Sequence, residues 1–470
     1  MRCRALLLAL VAACTPKSNA STTDGAAAAS APSASASASA SAPAPAPSAS
    51  GGRHASVLPF VENDYARALA QAKASGRPIF VDTWAPWCHS CMSMREYVFT
   101  DARLAPLADK FVWLAIDSEQ LSNSDFLARF PSTSLPTLWV IDSATEKPAM
   151  KWIGAATAAE LEGLLDDAAA GVKGGGGGDA MTAFVRGNQA SGEGKLEEAA
   201  VQYKKAIAAA PAGWKRRAAV VEALSMRLNE LRRHTECVDL AAAESPKLPP
   251  GTSQSNFLQI GLMSAYALPA SAPSRAKVPG LLALAQRIVA DPAYPFLADD
   301  RSGLYEHIVN ILHDTDRAGA KNAARAWALF LEAEAKNAAS PAARAVWDPH
   351  RLLAYIELGE VEKAIPMLEQ TARDLPDDYN PHARLARAYL ELKRLDEART
   401  SVERALAKAY GPRKLQIYML AADIHAARGD VAAAKKAIAD AIAEANAMRL
   451  PPKYARIREE LDKRLAALSK

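Results

Sequence analysis

The sequence predicts an α/β domain built on a central sheet, followed by an all-α array of helical repeats. Three observations carry that expectation: strand-like and helix-like patterns alternate across 55–170, a glycine-rich run interrupts the chain at 171–179, and a short motif recurs between 180 and 470. A length of 470 residues corresponds to roughly three domain equivalents. The charge is near neutral, 56 Lys and Arg against 52 Asp and Glu, with no long basic run, so the usual electrostatic footprint for nucleic acid is missing. Five cysteines are too few for a disulfide-stapled scaffold of this size.

The α/β part begins at Asp64, which starts a helical pattern running through Ala74. Gly76-Arg77-Pro78 breaks it, and Ile79-Phe80-Val81-Asp82-Thr83-Trp84 follows as a largely apolar run of buried-strand type. Helical patterns at 91–108, 123–130 and 157–169 then alternate with strand-like runs at Phe111 to Ile116, Thr137 to Ile141 and Met150 to Ile153. Such alternation predicts a central sheet flanked by helices.

Between the first central strand and its helix stands Trp84-Ala85-Pro86-Trp87-Cys88-His89-Ser90-Cys91, a Cys-x-x-Cys at a strand-to-helix turn. Amides at a helix N-terminus stabilise a thiolate on the first cysteine, making Cys88 the attacking thiol, and Cys91, about one turn further in, resolves the mixed disulfide. That chemistry requires the Cys88 sulfur to be exposed, ionised and within bonding distance of Cys91. It needs a redox-active disulfide and no other cofactor. The same motif can be half of a zinc site, but no second cysteine pair exists and His89 lies inside the same turn, so a four-ligand cage is hard to assemble. No metal is expected.

These residues resemble the thioredoxin superfamily over about 115 positions. Val81-Asp82-Thr83-Trp84 is similar to the family strand whose buried Asp lies beneath the active site, Leu135-Pro136-Thr137 to its cis-proline loop, and Gly154 follows the last strand as in the family. The stretch from Trp87 to Phe99, with Thr100-Asp101, resembles the C-terminal domain of DsbD-type thiol-disulfide interchange reductases. The resemblance implies a central mixed sheet, a buried Asp82 of raised pKa that relays the Cys91 proton, and a cis Pro136 completing the catalytic set Cys88, Cys91, Asp82 and Pro136. On the residues alone, Asp82 could be an edge carboxylate and Pro136 a plain trans loop residue. Trp84, Trp87, His89, Ser90 and Leu135 are read as shaping the site. His89 stands where thioredoxins have Gly, and an imidazolium there favours the thiolate. Trp113 occupies the place where thioredoxin commonly has a Lys near the buried Asp.

Ahead of this domain, Arg2 and Arg4 precede an apolar run from Ala5 to Ala13, too short to span a bilayer and suited to a signal-peptide core. The run closes on Val11-Ala12-Ala13-Cys14, which resembles a bacterial lipobox and implies lipidation of Cys14 after removal of residues 1–13; ordinary secretion with a cut in the Ala/Ser tract is the alternative. Residues 14–54 read as a disordered tether, since 26–50 are only Ala, Ser and Pro and bury almost nothing. Surface charge cannot hold such a chain at a membrane, so attachment is by the lipid anchor only. Thr15 after the lipobox cysteine points to outer-membrane sorting.

After the 171–179 linker, expected to let the two halves move independently, four units share one theme: Gly194-Lys195-Leu196-Glu197-Glu198-Ala199, Gly359-Glu360-Val361-Glu362-Lys363-Ala364, Lys393-Arg394-Leu395-Asp396-Glu397-Ala398 and Gly429-Asp430-Val431-Ala432-Ala433-Ala434. The last three closing alanines are 34 and 36 residues apart, which resembles the tetratricopeptide period. The match is strong at 180–211 and 347–445 and faint from 212 to 346. Pro366 is expected to kink its helix, and Cys237 to be a small buried residue of the repeat. His350, His382 and His425 are scattered, with no metal set in their spacing.

The functional expectation is a cell-envelope lipoprotein facing the periplasm. Its dithiol exchanges disulfides with protein thiol and disulfide substrates, reduction being preferred, while the repeats bind protein partners. A separate membrane electron donor or oxidant is implied. The alternatives are a repeat scaffold whose α/β domain only binds, and a disulfide isomerase.

Overall fold

The computed structural model describes residues 56–172, 178–269, 271–451, 454 and 456–469. The expected signal peptide, Cys14 and the whole of the 14–54 tether lie outside the described residues. The α/β part runs β1 (Val61–Glu62), α1 (Tyr65–Ser75), β2 (Ile79–Trp84), α2 (His89–Ser93), β3 (Val112–Asp117), α3 (Ser124–Arg129), β4 (Thr137–Ile141), β5 (Pro148–Ile153) and α4 (Ala158–Val172). The sheet order is β1-β3-β2-β4-β5, with β1 and β2 parallel to β3 and β4 antiparallel to both β2 and β5. It is a mixed sheet flanked by helices.

Strand alternation divides the core into two faces. Ile79, Val81, Leu114 and Ile116 pack with Trp139 and Phe126 on one side. Phe80, Trp113, Leu138 and Val140 pack with Leu161 and Leu165 of α4 on the other. Asp82 follows Phe80 by two residues and so points to the second face, opposite Ala115 in the β2–β3 register. Trp113 is two residues from that position. It packs against Phe80 at a ring separation of 4.7 Å as a core aromatic of the same face.

The 91–108 helix is corrected. α2 passes into a wider π turn at Met94–Val98, and a 3-10 turn follows at Ala102–Leu107. Pro106 has no amide hydrogen to continue an α-helix, and the Asp101 side chain starts a new turn by accepting from the Arg103 amide at 2.8 Å. β1 was not anticipated because two residues carry no periodic signal.

The remaining chain is helical: α5 (Asp179–Gly192), α6 (Leu196–Ala209), α7 (Arg217–Glu230), α8 (His234–Glu244), α9 (Thr252–Ala267), α10 (Val278–Ala290), α11 (Ala298–Thr315), α12 (Arg317–Asn337), α13 (Pro341–Ala345), α14 (Asp348–Leu358), α15 (Ala364–Asp374), α16 (Asn380–Glu391), α17 (Leu395–Lys408), α18 (Arg413–Ala427), α19 (Val431–Ala447) and α20 (Ile457–Leu468). The recurring motif has a backbone meaning. Gly194, Gly359 and Gly429 are left-handed, with φ of 76°, 75° and 80°, and Lys393 takes the same place at 58°. Five residues on, Ala199, Ala364, Ala398 and Ala434 are fully buried where paired helices cross. Arg232 is also left-handed at 59°, and Cys237, five residues later, is fully buried. The same unit therefore continues into the stretch where the sequence motif fades. Pro366 falls in the first turn of α15, where its missing amide hydrogen leaves no α-helical bond unmade.

The expectation of independent halves is overturned. α4 continues through Gly171 and Val172, and the repeats bond to the α/β domain along its length. The Ser253 amide donates to Glu160 at 3.1 Å, Asn256 to the Ala155 carbonyl at 3.3 Å, Tyr97 to the Ala343 carbonyl at 3.0 Å and Tyr410 to Asp117 at 2.6 Å. Gly411 (φ 63°) lies so close to Glu119 that a Cβ there would overlap the Glu119 carbonyl.

Candidate functional site

Cys88 ends the loop after β2 and is the N-cap of α2. Its Sγ accepts from the Cys91 amide at 3.2 Å, and the two sulfurs are joined at 2.07 Å. An amide hydrogen aimed at Sγ favours negative charge on that sulfur once the bond is reduced. Cys91 is fully buried. Cys88 is only 6% exposed, so its sulfur does not stand on an open surface as expected. It faces a chamber roofed by α14, α16 and α18, lined on the α/β side by Trp87, Cys88, His89, Ser90 and Leu135. The Leu135–Pro136 peptide is cis, and the Pro136 carbonyl accepts from the Gly154 amide at 3.0 Å.

Asp82 is completely buried, and neither carboxyl oxygen accepts a hydrogen bond among the described residues. Burial pushes its pKa from 3.8 up to about 7, only partly opposed by Arg95, whose Nη1 lies 3.7 Å away. Arg95 is shared: it sits 4.2 Å over the Trp84 ring and donates to Glu62 at 2.7 Å. The cation near Asp82 thus comes from the π turn after α2. Ala115, opposite Asp82, packs in one cluster with Cys88, Cys91 and Trp84.

His89 reaches across to the repeats. Its Nδ1 lies 2.7 Å from Asp299 of α11, and its ring is 3.8 Å from that of His350 of α14. Burial works to lower the His89 pKa, but the Asp299 carboxylate overrides it and the net direction is upward. His350 moves the other way, pushed well down first by burial and then by the charge of His89. Its Nδ1 meets Ser302 Oγ at 2.5 Å, and that oxygen also accepts from Trp327 at 2.7 Å. His350 is therefore not scattered: the fold brings it to His89 and Asp299, whose ligating atoms lie within 4.8 Å of one another. One carboxylate and two imidazoles are a donor set suited to a borderline divalent cation. His89 and Asp299 form an ion pair, the His350 ring is tilted 56° against that of His89, and His350 Nε2 lies 3.5 Å from Glu306.

Glu119 ties the two parts together beside the dithiol. It is 1% exposed and accepts from Trp87 Nε1 at 2.9 Å, the Tyr454 hydroxyl at 2.8 Å and the Arg413 amide at 2.6 Å. The Arg413 guanidinium lies 4.8 Å over the Trp87 ring. Glu119 was missed, although it follows the carboxyl end of a central strand, where sites on such sheets lie. Asp299 and His350 carry no local signal, being more than 200 residues from His89 in sequence.

Comparison with known proteins agrees with this architecture. Residues 61–143 match the thioredoxin-like family model and residues 355–413 a tetratricopeptide repeat model. Thiol:disulfide interchange protein DsbD of Pseudoalteromonas atlantica is 32% identical over 82 residues, 17% of this chain and 14% of that protein. The protein of the same name from Ralstonia nicotianae is 33% identical over 89 residues, 18% of this chain and 15% of that one. The chain thus spans only about a seventh of the length of these relatives. A tetratricopeptide repeat protein from Parabacteroides merdae, of known structure, aligns over 63% of this chain and 100% of its own at 11% identity and a TM-score of 0.39. The chain is a thioredoxin-like domain with a close cysteine pair, followed by tetratricopeptide-like repeats.

Two titrations follow. A folded-state pKa of about 7 for Asp82 means the native state holds that proton more tightly than the unfolded chain, so stability is lost as pH rises from about 4 to about 7. Asp82→Asn is expected to raise unfolding free energy at pH 8 by on the order of 3 kcal/mol and to change it little at pH 4, read from denaturant curves. For His89 the raised pKa gives a contribution complete below about 6.5 and lost as pH rises through the folded value. Asp299→Asn is expected to move the His89 imidazole titration, followed by NMR, to lower pH; an unchanged midpoint would contradict the role of Asp299.

Proposed function

We propose that this chain is a thiol-disulfide oxidoreductase of the bacterial cell envelope that reduces disulfides in polypeptide substrates. The observation that carries the reading is the asymmetry of the cysteine pair: Cys88 lines the chamber, with an amide hydrogen on its sulfur, while Cys91 is sealed in the core in one cluster with Ala115, whose strand partner Asp82 has a carboxyl of near-neutral pKa. In the reduced protein, the Cys88 thiolate attacks one sulfur of a substrate disulfide, forming a mixed disulfide and releasing the other substrate sulfur as a thiolate. Cys91 then attacks Cys88 Sγ, re-forming the Cys88–Cys91 bond and releasing the second substrate thiolate. Two electrons pass to the substrate. Asp82 is the group proposed to take the Cys91 proton, and Pro136 to border the substrate sulfur. Trp84, Trp87, His89, Ser90 and Leu135 shape the surroundings.

A dithiol donor must reduce the Cys88–Cys91 bond for the next turn, supplying two electrons and two protons and leaving as its own disulfide. No helix among the described residues is long and apolar enough to cross a membrane, so we assign that donor to a separate membrane protein. Anchoring through a lipidated Cys14 after cleavage of 1–13, a tether over 14–54 and export to the periplasmic face are part of the proposal, supported by the lipobox-like sequence. The domain limits proposed are 55–170 for the thioredoxin-like part and 180–470 for the repeats. The sequence likeness to thiol:disulfide interchange proteins supports dithiol-disulfide exchange as the chemistry.

Cys91→Ala is expected to accumulate mixed disulfides through Cys88 in cells, detected on non-reducing gels and lost in the Cys88→Ser, Cys91→Ala double variant. No accumulation would reject the exchange reading. Direction is tested by equilibrating the full chain with glutathione: a potential near about −270 mV is expected, and one above about −150 mV would overturn the preference for reduction.

A further inference from the structure

The chamber over Cys88 has an unbalanced wall. Its lining includes Arg384, Arg387 and Arg413 together with His89 and His350, and contains no Asp or Glu. Two of the three arginines are already engaged. Arg387 pairs with Glu391, and Arg413 lies over Trp87 and bonds to Gln416. Arg384, half-buried on α16, has neither a hydrogen bond nor an ion pair among the described residues. The acids nearest in charge, Asp348 and Asp378, act on it only through space, their oxygens accepting hydrogen bonds from Thr371 and Asn380 at 2.7 Å each. A guanidinium partly withdrawn from water whose N–H groups make no hydrogen bond is costly, and an incoming carboxylate offers its planar fork two parallel hydrogen bonds.

Size and polarity narrow the occupant. The chamber holds about 190 Å³ of free space, room for on the order of a dozen waters. That admits a short stretch of extended chain and excludes a folded domain. Leu353, Ile356, Ile417 and Leu420 supply apolar surface on the same walls. Resting on the exchange reading above, we propose that the chamber docks an extended, cysteine-bearing polypeptide segment with an Asp or Glu next to its cysteine, and that Arg384 receives that carboxylate. The repeats are thereby the specificity wall of the dithiol. In free solution a carboxylate beside a disulfide repels an incoming thiolate, so the unaided order of reactivity is the reverse of the one proposed.

The test uses the reduced full-length protein and two synthetic peptide disulfides that differ only in Asp or Asn beside the cysteine, with dithiodipyridine as a small neutral disulfide and glutathione disulfide as a small acidic one. The Asp peptide is expected to react at least about tenfold faster than the Asn peptide, as a charge-assisted bond supplies. Arg384→Gln is expected to erase that preference while leaving the dithiodipyridine rate unchanged, and Arg384→Lys to keep part of it. Equal rates for the two peptides with the unaltered protein, or an equal slowing of both by Arg384→Gln with folding intact by circular dichroism, would overturn the site. Faster reaction with glutathione disulfide than with the Asp peptide would overturn the polypeptide assignment. Failure to react with all four disulfides would instead remove the exchange reading beneath it.

Discussion

The carboxylate of Glu119, sealed between two parts of one chain, is the contact on which the arrangement of this protein depends. A buried carboxylate without partners costs several kcal/mol, and here a ring nitrogen of the thioredoxin-like domain and two donors of the repeats share the task of satisfying it. Those donors converge only when Arg413 at the start of α18 and Tyr454 sit at one position against the loop after β3. The position is tightened by Gly411, which alone among residue types lets the two backbones approach without a Cβ in the way. With this clasp closed, α14, α16 and α18 roof the dithiol, and the chamber follows.

Two buried acids near the cysteines receive opposite treatment, and the contrast explains their separate roles. Glu119 is surrounded by donors and anchors structure. Asp82 is given none, only a distant and shared guanidinium, so it holds a proton near neutral pH. A third carboxylate, Asp299, comes from the repeats and acts on His89, next to Cys88. The electrostatic surroundings of Cys88 are therefore composed partly by the domain that bears it and partly by residues two hundred positions away.

Much of the thioredoxin-like domain is legible in the sequence because its signals are local. The apolar run Ile79–Trp84 and the run Thr137–Ile141 are strands with the bounds their residues suggest, and Asp64 caps α1 as its side chain allows. The Cys-x-x-Cys spacing, with β2 before it, brings the two sulfurs together at a helix start. The repeats are legible where the turn, on glycine or on Lys393, leads five residues on to an alanine. They fade where Arg232 takes the turn and Cys237 stands in the alanine's place.

Sequence alone determined the chemistry this chain carries: two thiols at the spacing of one helical turn, a carboxylate in a strand too apolar to solvate it, and helical units that must stack to bury their small-residue crossings. Tertiary structure decided who may reach that chemistry. A glycine run reads as freedom of movement, yet the hydrogen bonds and ion pairs that cancel that freedom join residues far apart in the chain, and no local pattern records them. Burial of Cys88 behind the repeats, the pairing of His89 with Asp299 and the place of Arg384 in the chamber wall are all consequences of that docking.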